Sequence, residues 1–231
     1  MGIDFNIRDV LGMSRIKSES EIWAEQRRGK FTASNIYMLC TSDKSGTGLG
    51  ETAKKYVRDV FGERFGDEKP NFTSDAMQLG IDNEPICAEV LAKKYENFKH
   101  LGKDLFKHPT IENTAASPDF TCTINGISVC GDIKTATTVS KFLEYVDASN
   151  DNYGLKKISK QYYYQVQWQI ECVGALQGLL VAFCPALLNT EYDCIKTFYI
   201  EKDFTVIQEI KDKLELCEQY GASLTSKLKT K

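Results

Sequence analysis

Histidine is nearly absent from this chain: His100 and His108 are the only two in 231 residues. A Ser-His or Cys-His nucleophile system is therefore short of candidates, and acid–base chemistry must rest on carboxylates, lysine or tyrosine. The eight cysteines, at positions 40, 87, 122, 130, 172, 184, 194 and 217, form no Cys-x-x-Cys pair. Tetrahedral metal frameworks need such close pairs, so the thiols read as reduced and mostly buried. No run of about 18 apolar residues exists, which excludes a membrane-spanning helix. The first residues, MGIDFNIRDVLGMSR, read as a helix-like stretch without the basic-then-apolar layout of a signal peptide. A cytoplasmic location is expected. Proline-rich linkers, internal repeats and low-complexity tails are also missing.

What is present is ordinary for a globular protein: 42% hydrophobic and 26% charged residues. The 29 basic and 32 acidic side chains leave a net charge of −3. A non-specific surface binder of nucleic acid would usually be basic overall, so any nucleic-acid site here must be a local basic groove. Periodicity predicts helices over 18–29, 33–40, 51–65, 77–96, 160–176 and 203–228. Ser18 and Glu21 form a possible capping box, and Gly29 stops that first run. TSDKSGTGLGE (41–51) is a loop without the Gly-Lys-Ser/Thr ending of a phosphate-binding loop. Strands are expected through 98–134 and over 178–186 and 194–201. The pattern predicts one α/β domain over 1–231: N-terminal helices within 1–65, a core from about 77 to 201, and a C-terminal helix over 203–228.

The most informative segment is SPDFTCTINGISVCGDIKTAT, residues 117–137. Asn125-Gly126 is a strong signal for a two-residue hairpin turn, because both residues tolerate the positive φ of a type I′ turn. With that turn Ile124 faces Ile127, and the same register sets Asp119 opposite Asp132. Directly opposed residues share a face, and Lys134 lies two residues further along it. Thr121, Thr123, Ser128 and Cys130 complete that face. Phe120, Cys122, Ile124, Ile127, Val129 and Ile133, with Gly131, form the other. One face is expected to be core and the other a polar site. Opposed carboxylates repel, and a divalent cation with hard oxygen ligands removes the repulsion. The lysine can then hold or help activate a water.

Pro118-Asp119 followed by Asp132-Ile133-Lys134 resembles the PD-(D/E)xK nuclease core, and the wider pattern is similar to the phage lambda exonuclease family. WAEQRRGKFTAS (23–34) is similar to the N-terminal block of that family. MQLGIDNEPICAEVLAKKY (77–95) is similar to its Gly-and-Glu helix, and YYYQVQWQ (162–169) to its Tyr-x-x-Gln-x-Gln helix. The resemblance spans residues 23–169. It implies a restriction-endonuclease-like fold with a central mixed β-sheet flanked by helices. It also implies the roles. Glu84, Asp119, Asp132 and the Ile133 carbonyl match metal ligands, Lys134 the catalytic lysine, and Gln165 the glutamine beside the site. Tyr162 and Gln167 support it. Arg27, Ser34 and Ser117 match positions that grip the 5′ phosphate of a DNA end. The implied cofactor is Mg2+, as two ions, with Mn2+ able to substitute.

The implied activity is 5′-to-3′ digestion of one strand of double-stranded DNA in phage-type homologous recombination, in a bacterial host cell. A ring-shaped homotrimer threaded by DNA and a single-strand annealing protein are the implied partners. Two departures stand out: Phe120 follows the Pro-Asp pair where Gly is common, and Asp132 replaces the commoner Glu. The rival readings are a structure-specific or restriction-like endonuclease on the same core, and a DNA-end-binding protein without catalysis. An iron–sulphur relative is disfavoured, since no suitably spaced cysteine cluster flanks the core.

Overall fold

The computed structural model describes residues 17–46, 48–68 and 74–229. The helix-like stretch expected at the N-terminus lies outside them. Helix α1 (Glu19–Arg27) starts at the expected capping box, with Ser18 Oγ accepting from Glu21 N at 3.3 Å and Glu21 Oε2 accepting from Ser18 N at 2.7 Å. Residues Ala33–Met38 form a tighter 3-10 helix, and α2 (Glu51–Arg64) follows the glycine-rich loop.

Helix α3 (Asp75–Ala92) ends earlier than its periodicity suggested. The expectation of helix to residue 96 fails because Glu96–His100 is strand β2. Phe98 is drawn into the sheet, where its ring stacks on Phe120 at 5.1 Å. Tertiary packing of one aromatic pair overrides local helical spacing here.

The main sheet has five strands: β2, β5 (Phe120–Ile124), β6 (Ile127–Thr135), β7 (Gln177–Phe183) and β8 (Ile195–Glu201), in that order. All neighbours are antiparallel except β6 and β7. The parallel pair requires a crossover. Three helices supply it: α4 (Val139–Val146), α5 (Asn152–Ile158) and α6 (Lys160–Val173). The first two were not apparent in the sequence pattern. A small second sheet joins β1 (Phe31–Thr32), β4 (Thr114–Ala116) and β3 (Phe106–Lys107), and α7 (Phe204–Ser226) closes the fold.

The hairpin register follows its turn. Asn125 and Gly126 take φ of +50° and +78°, and Ile124 pairs with Ile127, Cys122 with Val129 and Phe120 with Gly131. Alternation then divides the sheet into two buried faces. Phe120, Val129, Ile133, Leu179 and Val181 pack against Cys87, Ala88 and Leu91 of α3. Cys130, Leu180, Ala182 and Phe198 lie in the other cluster, with Val166 and Ile170 of α6 and Ile207 and Ile210 of α7. The face expected to carry a polar site is itself largely buried. α6 covers much of that face; Thr121, Thr123 and Ser128 near the turn, and Lys134 towards the other end, keep some exposure.

Phe120 itself has a visible compensation. Its ring lies over Gly131, where an added Cβ would stand 2.1 Å from the Phe120 Cζ. An aromatic residue after Pro-Asp is accommodated because the cross-strand partner has no side chain.

Glu171 near the end of α6 binds Lys202 at 2.8 Å and Lys211 at 2.5 Å, with His108 at 3.4 Å. Burial works against the Glu171 charge, but the two lysines outweigh it and hold its pKa at about 2. This knot ties α6 to α7 and to the end of β8.

Gly131→Ala is expected to destabilise the protein by about 1–3 kcal/mol through overpacking, read as a lower urea midpoint. Adding Phe120→Ala to it is expected to cost less than the two single changes summed, because they share one clash. An unchanged midpoint in Gly131→Ala would refute the steric pairing.

Candidate active site

Asp132 is the buried centre of the site, 1% exposed in the middle of β6. A carboxylate so placed needs donors, and α6 supplies them. Gln165 Nε2 and Gln169 Nε2 donate to Asp132 Oδ1 at 2.7 and 2.8 Å. Positions four apart share a helix face, so the two amides reach the same oxygen from successive turns. Oδ2 pairs with the Lys134 ammonium, Nζ lying 2.5 Å away.

Lys134 also lies 5.1 Å from the centroid of the Tyr162 ring, so Tyr162 borders the site as expected. Burial opposes the ammonium charge, yet Asp132 and Asp119 outweigh burial and raise the Lys134 pKa. Lys134 is a fixed cation in this arrangement.

Asp119 sits beside this pair, though not in the predicted register. It lies just before β5, and the ladder begins with Phe120 opposite Gly131. Asp119 N also donates to the Gly131 carbonyl at 2.9 Å, so two residues face one, as in a bulge. The expected direct pairing of Asp119 with Asp132 is corrected accordingly. The displaced carboxylate reaches along β6 instead, with Oδ2 accepting from Ile133 N at 2.6 Å. Burial first, then the Asp132 and Glu84 charges, push its pKa up, against Lys134 and the Ile133 amide.

Glu84 comes from α3, the layer on the opposite side of the sheet from α6, and is half-buried. Its Oε1 is 2.8 Å from His100 Nε2. This partner was not found in the sequence, because the contact joins a helix to a strand 16 positions away and no local pattern marks it. Gln169 was missed as well. Gln167, the expected supporting residue, points elsewhere: its amide binds the Glu201 carbonyl at 2.8 Å and accepts from Asp203 N at 2.8 Å. Residues two apart lie on different sides of a helix, so Gln165 and Gln167 cannot both face Asp132.

Two of the three phosphate-gripping candidates, Arg27 and Ser117, meet at Trp23. The Arg27 guanidinium sits 4.2 Å from the Trp23 ring centroid and donates to Thr32 Oγ1 at 3.2 Å. Ser117 Oγ accepts from Trp23 Nε1 at 3.2 Å and donates to the Asp104 carbonyl at 2.6 Å. The structure thus brings Arg27 and Ser117 to one tryptophan. Ser34 is half-buried in the 3-10 helix, with its carbonyl accepting from Gln161 Nε2 at 3.4 Å. A cleft of about 760 Å³ runs from Trp23 and Gln26 past Lys103 and Asp104 to His100, joining this region to the Glu84 side of the site.

Among the described residues no three or more His, Cys, Asp and Glu side chains are gathered as a ready metal cage. The donor set nevertheless suits a hard divalent cation. Asp119 and Asp132 are neighbouring carboxylates, with Glu84 within electrostatic reach of Asp119. Oxygen ligands of this kind are those magnesium takes.

Residues 22–176 match the YqaJ family, described as a YqaJ-like viral recombinase domain. No curated protein matches the chain. Among solved structures, an alkaline exonuclease (LHK-Exo) from Laribacter hongkongensis is similar, with TM-score 0.67 and 22% identity over 90% of this chain and 97% of that one. LHK-Exo in complex with dAMP gives 0.68 and 24% over the same shares. A phage related exonuclease from Haemophilus somnus 129PT gives 0.64 and 18%, over 87% of this chain and 96% of that one. At these identities the likeness establishes the fold.

Removing one of the two adjacent carboxylate charges is expected to stabilise the metal-free protein. Asp119→Asn keeps an acceptor for Ile133 N and should unfold at higher urea than the unmutated protein in EDTA at neutral pH. The order should narrow or reverse when Mg2+ is added, because only the unmutated site gains the full charge of the ion. Identical behaviour of both proteins in EDTA and in Mg2+ would refute the repulsion.

Proposed function

The chain belongs to the YqaJ-like viral recombinase family of lambda exonuclease-like DNA nucleases, and from that premise we propose that it is a magnesium-dependent exonuclease. It digests one strand of double-stranded DNA from 5′ to 3′ and serves phage-type homologous recombination. The observation that carries this reading is the constellation of Asp132, Asp119 and Lys134 under α6, with one Asp132 oxygen braced by two amides and the other paired with the Lys134 ammonium.

Asp119, Asp132, Glu84 and the Ile133 carbonyl would hold the Mg2+. Bound there, the metal supplies Lewis-acid charge that lowers the pKa of water and stabilises the phosphorane-like transition state. The remaining work belongs to the chain. Gln165 and Gln169 fix Asp132, so no reorganisation of that ligand accompanies the reaction. Lys134 places a positive charge where negative charge develops on the scissile phosphate and its attacking water. Arg27, with Ser34 and Ser117, receives the 5′-terminal phosphate; a guanidinium fork holds such a group in one orientation. A terminal monoester carries more charge than an internal diester, so the pocket reads the end without reading sequence.

A homotrimer enclosing the duplex belongs to the same proposal, as does cooperation with a single-strand annealing protein. A net charge of −3 is compatible with threading, since only the channel must be basic.

End-labelled linear duplexes with and without a 5′ phosphate, digested in Mg2+, test the reading. Loss of label from the 5′ end, faster with phosphate, is expected. Rapid cutting of a covalently closed circle would favour the endonuclease alternative instead.

Two variants refine the roles. Lys134→Ala is expected to lower kcat by about 100-fold or more with KM within a few-fold; a change confined to KM would reduce Lys134 to a phosphate-positioning residue. Arg27→Ala is expected to slow phosphorylated ends most and to narrow the gap between phosphorylated and hydroxyl ends. Retention of the full gap would remove Arg27 from the end pocket.

A further inference from the structure

Gln165 and Gln169 differ in one respect. Both donate to Asp132 Oδ1, but only the Gln169 amide also reaches the Ser117 carbonyl, at 3.3 Å. Ser117 lies in the short link between β4 and β5, two residues before Asp119. Its hydroxyl accepts the Trp23 N–H, and the Trp23 ring carries the Arg27 guanidinium. A continuous series of direct contacts therefore runs from Arg27 through Trp23, Ser117 and Gln169 to Asp132. Gln169 is the side chain in it that touches both the end-reading loop and the candidate metal ligand.

Gln169 is fully buried, so it cannot meet DNA. Its Oε1 is buried without a hydrogen-bond partner, a costly state that an apolar side chain of similar length would avoid. What the position retains is the pair of N–H donors, and those are the two links in the series.

We propose that Gln169 is a positioning residue that couples occupancy of the 5′-phosphate pocket to the orientation of Asp132. A phosphate drawn to Arg27 bears on Trp23 and Ser117, and Gln169 passes that restraint to the Asp132 carboxylate. A 5′ phosphate then raises turnover as well as affinity. This rests on the exonuclease reading above and adds to it a residue outside the Gln-x-Gln spacing. Contact alone does not establish coupling, so the test measures it directly.

The decisive comparison is kcat on 5′-phosphorylated and 5′-hydroxyl duplexes for the unmutated enzyme, Gln169→Met and Gln165→Met. Gln165→Met removes a donor to Asp132 without touching Ser117, so it should lower kcat by a similar factor on both ends. Gln169→Met should lower it further on the phosphorylated end, reducing the phosphate-to-hydroxyl kcat ratio by about threefold or more, the scale of one neutral hydrogen bond. Trp23→Phe provides a second variant if Gln169→Met does not fold. It removes the indole N–H to Ser117 while keeping a ring beneath Arg27, and the ratio should again fall.

A readout independent of turnover is the Mg2+ concentration for half-maximal thermal stabilisation. A 5′-phosphorylated duplex should lower it in the unmutated protein and not in Gln169→Met. If the unmutated enzyme prefers phosphorylated ends and both variants keep its ratio, the coupling is wrong and the exonuclease reading stands. If the unmutated enzyme is indifferent to the phosphate, the end pocket fails and the coupling falls with it.

Discussion

A carboxylate buried in the centre of a sheet is the constraint around which this molecule is arranged. Asp132 has almost no solvent contact, and an ionised group there is tolerable only if the protein replaces its lost hydration. Two amides and an ammonium do so. The constraint shapes α6, which must be apolar enough to pack on the sheet and polar at two positions one turn apart. Tyr163, Val166 and Ile170 answer the first demand, and Gln165 and Gln169 the second. The same carboxylate outweighs the burial of Lys134 and keeps it charged.

The candidate site belongs to neither face of the sheet alone. Asp132 and Lys134 project beneath α6, whereas Glu84 arrives from α3 on the other side, and Asp119 stands at the strand end between them. The irregularity at Asp119 makes this meeting possible. Had the ladder continued regularly, Asp119 would have stayed opposite Asp132 beneath α6. Shifted by a residue, its carboxylate lies along β6 at the Ile133 amide, within electrostatic reach of Asp132, Lys134 and Glu84. His100, from the neighbouring strand, fixes Glu84 in this layer. The Ser117–Pro118–Asp119 link thus serves two regions, with its first residue under Trp23 and its last at the carboxylate cluster.

Electrostatics elsewhere follows the same rule of replaced hydration. Glu171 is largely screened from water and is held ionised by Lys202 and Lys211. His108 stacks on Trp168 at 5.2 Å, and burial lowers its pKa despite the nearby Glu171. These groups join helices to the end of the sheet and leave the candidate chemistry to carboxylates, lysine and amides.

What the sequence by itself determined was whatever rests on short-range geometry. Asn125-Gly126 dictated the turn, the turn dictated the register from Ile124–Ile127 to Phe120–Gly131, and alternation dictated which residues share a face. Capping at Ser18 and the helical runs at 51–64, 160–173 and 204–226 were legible for the same reason. Helical spacing by itself puts Gln165 and Gln169 on one face, whereas the Gln-x-Gln resemblance points to Gln167. Tertiary structure alone decided the rest. Whether the second face was open or covered depended on where α6 docks, and the end of α3 depended on Phe98 finding Phe120. The displacement of Asp119 shows only in the assembled ladder, where its N–H and Phe120 both meet Gly131. Contacts such as His100 with Glu84 and Trp23 with Ser117 join residues distant in the chain. Their energies arise only once the layers are packed, so no local pattern encodes them.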